Sequence, residues 1–71
     1  MQPKTIGERV AALRKTRSLT QEELARLIFV KRQAVCRWET GERNIPAEQI
    51  GKIAVALNTS CDYIILGKKN C

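Results

Sequence analysis

Between Leu19 and Glu42 the chain reads LTQEELARLIFVKRQAVCRWETGE, two short helix-like segments that meet at a break at Phe29 and Val30. Thr20 and Glu23 form the T-x-x-E of a capping box, in which a hydroxyl and a carboxylate satisfy unpaired amides at a helix start, and Leu19 before them is placed to staple the entry. The helix opened there has room for only about two turns, with Leu24, Ala25, Leu27 and Ile28 as its core face. Helices this short do not persist in water without tertiary packing, so the segment demands neighbours. The second segment, Lys31 to Thr40, sorts by angle. At about 100° per residue Val35 and Trp38 fall together, while Arg32, Gln33, Cys36 and Arg37 fall opposite them. One face is set to pack and the other to be displayed.

The rest of the chain supplies those neighbours. Thr5 and Glu8 repeat the capping box, and Ile6, Val10 and Leu13 at helical spacing carry a first helix to about Arg17. Arg9, Lys15 and Arg17 read as solvated charges. Gly41 is a natural left-handed stop after Thr40, and Pro46 suits the first turn of a fourth helix that runs to Leu57 on a stripe of Ile50, Ile53, Ala54 and Leu57. Gly51 inside that helix is expected to permit close approach of a neighbour. Asn58 reads as another left-handed stop. Ser60 caps a fifth helix, Cys61 to about Leu66, with Asp62 near the positive end of its dipole, and Gly67 ends it. The pattern predicts an all-α, compact five-helix domain over residues 5–67, between a flexible N-terminus at 1–4 and a frayed tail at 68–71.

A net charge of +6 and a pI near 9.7 favour an acidic partner, for which nucleic acid is the commonest in so short a chain. No apolar run approaches the roughly 20 residues of a membrane span, and MQPKTIGER has no signal-peptide core, so a cytoplasmic protein without a membrane partner is expected, nucleoid-associated when bound to DNA. Cys36, Cys61 and Cys71 make no CxxC pair and the chain has no histidine, so reduced thiols are expected, and no metal or cofactor is indicated. With no histidine, no enclosed carboxylate pair and no phosphate-cradling glycine loop, an enzyme is not expected.

L-T-Q-E-E-L-A at Leu19 to Ala25, R-Q-A-V at Arg32 to Val35, W-E-T-G at Trp38 to Gly41, and a proline followed by I-x-x-I-A-x-A-L up to Leu57 stand at a telling spacing. In residue type and order they resemble the Cro/repressor, XRE-like helix-turn-helix family of small phage and bacterial regulators, over roughly residues 5 to 66. The resemblance implies a lambda-repressor-like DNA-binding domain, with helices 2 and 3 as the helix-turn-helix and helix 3 in the major groove. It also implies roles. Arg32, Gln33 and Arg37 present to bases, Gln21 contacts a phosphate or buttresses Arg32, and Lys31, Arg43, Asn44 and the start of helix 4 at Ala47 meet the DNA backbone. Arg14 and Glu39 correspond to a partly buried structural ion pair. The chemistry agrees, since arginine pairs with guanine O6 and N7 and glutamine with adenine, each worth about 1–3 kcal/mol of discrimination, and free helix-start amides suit a phosphate.

Two positions depart from the family pattern. Lys31 stands where a capping hydroxyl is usual, so helix 3 is expected to begin less firmly. Phe29 stands where glycine is usual, so either it adopts a left-handed conformation or helix 2 is extended and the turn relocated.

The function implied is a sequence-specific double-stranded DNA-binding transcriptional regulator, a repressor, that acts as a homodimer on an inverted-repeat operator. The expected dimer surface is Cys61, Tyr63, Ile64 and Leu66, with Ile64 and Ile65 also closing part of the core. The alternative is an antitoxin-like or other protein-interaction module with secondary DNA binding, for which a long partner-wrapping tail would be the mark.

Overall fold

The computed structural model describes residues 5–67. Within them five helices follow in order: α1 (Ile6–Thr16), α2 (Gln21–Leu27), α3 (Arg32–Thr40), α4 (Ala47–Ala56) and α5 (Cys61–Leu66). The expectations for residues 1–4 and 68–71 lie outside the described residues.

The helix starts follow from local chemistry. The Thr5 hydroxyl accepts from the Glu8 N–H at 3.0 Å while the Glu8 carboxylate accepts from the Thr5 N–H at 3.1 Å. The same reciprocal pair joins Thr20 and Glu23, at 3.0 and 2.8 Å. The Thr20 N–H, and then the Thr20 hydroxyl, hold the Glu23 carboxyl below its ordinary range. That preference supports α2 above the ordinary glutamate range and is lost as pH falls through the lowered value. Ser60 caps α5 by accepting from the Tyr63 N–H at 3.0 Å, and Pro46, extended rather than helical, stands one residue before α4.

All five helices also end alike. The residue after each helix or its C-cap is left-handed: Ser18 at φ 59°, Phe29 at 60°, Gly41 at 83°, Asn58 at 53° and Gly67 at 74°. After the three non-glycine stops, Leu19, Val30 and Thr59 donate to the carbonyls of Arg14, Ala25 and Ala54, five residues back, at 3.0, 2.9 and 2.9 Å. This is the Schellman arrangement, which consumes a helix carbonyl and tucks the next side chain under the helix it has just left. Leu19 and Val30 do so, packing partly buried against the core. Of the two alternatives for Phe29, the chain takes the first: the residue is left-handed, its ring 89% exposed, and the turn stays in place.

The core gathers the predicted stripes: Val10 of α1, Leu24, Ala25 and Ile28 of the α2 segment, Val35 and Trp38 of α3, Ile50, Ile53, Ala54 and Leu57 of the α4 segment, and Ile64 of α5. Helix α3 packs against α1 and α2, and α5 closes the other end against α1 and α4. A Cβ on Gly7 would collide with the Trp38 carbonyl oxygen, so α1 approaches the end of α3 at backbone distance. This close approach belongs to Gly7 and not to Gly51, around which a Cβ would meet nothing within 4 Å.

Other expectations are corrected. Leu27 is 53% exposed, because Leu24, Ala25 and Ile28 form the inward line of α2 and Leu27 stands on its flank. Arg9 and Arg17 are not simply solvated. Buried Arg9 donates from Nε to the Ile64 carbonyl at 2.7 Å and from Nη2 to the Ile65 carbonyl at 2.8 Å, and Arg17 donates from Nε to the Leu57 carbonyl at 2.9 Å. Carbonyls in the last turn of a helix have no partner within it, and guanidinium groups on α1 and at its C-cap supply one to α5 and to the end of α4.

A non-glycine residue in the left-handed region costs roughly 1–2 kcal/mol, and the Phe29 ring buries little in exchange. Phe29→Gly is therefore expected to leave the free energy of unfolding measured in urea unchanged or raise it, by up to about 1 kcal/mol after glycine's extra chain entropy is counted. Phe29→Val, β-branched at the same φ, is expected to lower it.

Candidate nucleic-acid interface

Helix α3 divides as its angles require. Val35 and Trp38 are buried, while Arg32, Gln33 and Arg37 are exposed on the opposite side. Cys36, expected on the displayed face, is half-buried, and it and Cys61 are free thiols. Lys31 is the N-cap of α3 with extended backbone and no side-chain capping bond, so the helix starts at Arg32 without the hydroxyl that caps α1, α2 and α5. Lys31 itself is exposed at the junction.

What aims α3 is a polar junction at its far end. Arg14 Nε donates to Glu39 Oε2 at 2.7 Å and Nη2 to Oε1 at 3.1 Å, a two-point pair whose side chains are only 10% and 6% exposed. Nη1 of Arg14 donates to the Leu19 carbonyl at 2.7 Å, in the connection between α1 and α2. Gln21, the first residue of α2, donates from Nε2 to Glu39 Oε1 at 2.9 Å. Gln21 thus buttresses Glu39, and no hydrogen bond joins it to Arg32 among the described residues. One carboxylate, near the C-terminal end of α3, ties α1, the α1 to α2 connection, α2 and α3 together.

The loop after α3 lies against the same face. Gly41 turns left-handed, and the Arg43 N–H then donates to the Arg37 carbonyl at 3.2 Å. That folds the loop back onto α3 and brings Glu42 to Arg37, Oε2 to Nε at 3.2 Å, with side chains 65% and 51% exposed. Arg37, Arg43 and Asn44 line one cleft with Ala34, Trp38 and Pro46. Ala47, exposed, opens α4 beyond it. The structure therefore brings Arg37, Arg43 and Asn44 together beside α3, whose first residues, Arg32 and Gln33, lie at the opposite end. The contact of Glu42 with Arg37 was not foreseen from sequence. Its signal was an acidic residue just past a glycine helix stop, which on its own says nothing of direction.

At the other end of the domain, the residues expected to form a dimer surface separate. Cys61 and Leu66 are exposed and Tyr63 is half-buried, but Ile64 is 0% exposed and belongs to the core. A helix of six residues whose axis lies against α1 and α4 turns one apolar position fully inward, and Ile64 takes it. Ile65, expected to share in closing the core, is instead 44% exposed.

Two short helices joined by a left-handed turn, the second with a buried back and a displayed front, form a helix-turn-helix within a repressor-type five-helix fold. The chain belongs to the helix-turn-helix family, whose model matches residues 10–64. It is similar to the antitoxin PezA of Streptococcus pneumoniae, 38% identical over 55 residues that make up 78% of this chain and 35% of PezA. It is similar also to the repressor protein C2 of Salmonella phage P22, 31% identical over 67 residues, 94% of this chain and 31% of C2. The crystal structure of the P22 c2 repressor in complex with a synthetic operator superposes with a TM-score of 0.87 at 31% identity, over 92% of this chain and 98% of that one. The chain spans about a third of the length of these curated relatives.

The junction has a measurable weight. Glu39→Ala strands the Arg14 guanidinium in a site where it is nearly buried, at an expected cost of about 3–5 kcal/mol. The whole domain, at 0.05–0.15 kcal/mol per residue, holds only roughly 4–10 kcal/mol. Urea unfolding should find Glu39→Ala marginal or unfolded, and the apolar pair Arg14→Met with Glu39→Leu much less affected, because it leaves no charge unpaired.

Proposed function

We propose that this domain binds double-stranded DNA in a sequence-specific manner, as part of a transcriptional regulator that acts as a repressor, with α3 in the major groove. The observation that carries this reading is the division of α3: Arg32, Gln33 and Arg37 on a free face, backed by Val35 and Trp38 in the core, and flanked by Arg43 and Asn44. These are the side-chain types that pair with guanine and adenine edges, set on a helix whose orientation is fixed from behind. The likeness to a P22 repressor captured on operator DNA supports the same reading. A net charge of +6 favours approach to the phosphate backbone, and Gln21, Lys31, Arg43, Asn44 and the Ala47 end of α4 are its assigned contacts. Gln21 keeps its amide oxygen for that purpose while its Nε2 is held by Glu39. We read the domain as a binding module and not as an enzyme.

A single α3 presents too few base contacts to select a genomic site, so the reading includes a homodimer on an inverted repeat, with half-sites about 10 base pairs apart. The surface we assign to it is Cys61, Ile65 and Leu66 with the rim of Tyr63; Ile64 takes no part.

Similarity to the antitoxin PezA favours one second reading, in which the domain sits in a protein whose principal partner is another protein. Selection of bound sequences from a random duplex pool separates the two. Enrichment of an inverted repeat is the expected result, and DNA binding with no enriched sequence would favour the antitoxin-like reading.

On the enriched site, alanine at Arg32, Gln33 or Arg37 is expected to weaken binding by about 1–3 kcal/mol with little change on random duplex; equal losses on both would refute base reading. Arg43→Ala is expected to flatten the slope of log affinity against log salt by about one unit, and an unchanged slope would remove Arg43 from the phosphate footprint.

A further inference from the structure

We propose that Glu42 is a specificity-determining residue that acts through Arg37, an inference that rests on the reading of α3 as the base-reading helix. An exposed ion pair adds little stability, because two long side chains give up freedom to meet in high dielectric. This one differs in how its partners are delivered. The left-handed Gly41 and the bond from the Arg43 N–H to the Arg37 carbonyl fix the loop on α3, so the backbone, and not a chance encounter of side chains, brings the carboxylate to Arg37.

The geometry then divides the guanidinium. Glu42 Oε2 lies nearest Nε, 3.2 Å away, as an ion pair, which leaves both Nη groups without a hydrogen bond among the described residues. A guanidinium whose Nε side faces a carboxylate leaves its two Nη groups for a base, the arrangement that meets guanine O6 and N7 together. On a matching base Arg37 gains that two-point contact and keeps Glu42. On a mismatched or random duplex its attractive alternative is a phosphate, and reaching one means leaving Glu42. The same carboxylate lies beside the cleft that Arg37 and Arg43 line, and it repels every phosphate equally. The repulsion lowers affinity for both duplexes alike; the hold on Arg37 alone penalises binding that does not read a base, and through it Glu42 raises the ratio of specific to random affinity.

The test is a double-mutant cycle on the full chain, with dissociation constants measured for the enriched operator and for a random duplex of equal length. Glu42→Gln keeps the shape and removes the charge. It is expected to tighten random binding about threefold to tenfold and to steepen its salt slope, while operator binding improves less or weakens, so that the ratio falls about threefold or more. In the Arg37→Ala background Glu42→Gln is expected to leave the ratio unmoved, because the arginine through which it acts is gone. An equal change on both duplexes in the wild-type background would reduce Glu42 to a bulk charge and overturn the proposal. So would a change in ratio that persists without Arg37. If selection yields no operator, base reading itself fails and the assignment to Glu42 falls with it, an outcome visible before any variant is made.

Discussion

The Glu39 carboxylate is the point on which the orientation of α3 depends. It lies one residue past Trp38 near the C-terminal end of the helix, and it receives Arg14 at two points and Gln21 at one. Apolar packing alone leaves a short helix free to roll, because the hydrophobic effect is without direction. Three hydrogen bonds of defined geometry remove that freedom, and the Gly7 approach to the Trp38 carbonyl sets the distance at which α1 stands while they form. The displayed face of α3 therefore inherits its aim from a partly buried polar junction behind it. Charge burial is tolerated here because every partner is satisfied: Arg14 spends its remaining Nη on the Leu19 carbonyl.

Arginine has a second use in this domain. Arg9 and Arg17 each leave α1 to meet the carbonyls at the end of another helix, so α1 serves as a spine that closes helix ends as well as a packing surface. A count of solvated charges hides this. The +6 net charge includes guanidinium groups committed inside the fold, and of the exposed cations Lys31, Arg32, Arg37 and Arg43 stand on α3 or beside it, Arg37 with an acidic neighbour.

Much of this was legible in sequence, for identifiable reasons. Capping boxes at Thr5 and Thr20 and the cap at Ser60 are local, involve residues three apart, and need nothing from the rest of the chain, so their spacing foretold the starts of α1, α2 and α5. The stripe of Ile50, Ile53, Ala54 and Leu57 has one period and one solution. What escaped was set by tertiary neighbours. The carbonyls that receive Arg9 lie 55 and 56 residues away, and no periodicity on α1 announces them. Leu27 fits the helical pattern of α2 but stands on its flank, and Ile64 has the composition of an interface residue but occupies the inward position of a six-residue helix. Gly7 was silent because a glycine in a helix start is unremarkable until its neighbour is known. The exposed residues of α3 were legible because the motif joined them to a buried partner set; the engagement of Arg37 with Glu42 was not, because the loop that delivers it is shaped by Gly41 and a backbone bond across the turn.

The clasp of Arg9 on the last carbonyls of α5 has a mechanical consequence. Tension applied to the chain beyond Gly67 reaches α5 first and passes through Ile64 and Ile65 to Arg9 on α1, the longest helix in the domain. From there a hydrogen-bonded route runs from α1 to α3 through Arg14 and Glu39. Whatever is attached past Gly67 pulls on α1, whose Arg14 also holds Glu39, so the load arrives at the junction that aims the displayed face.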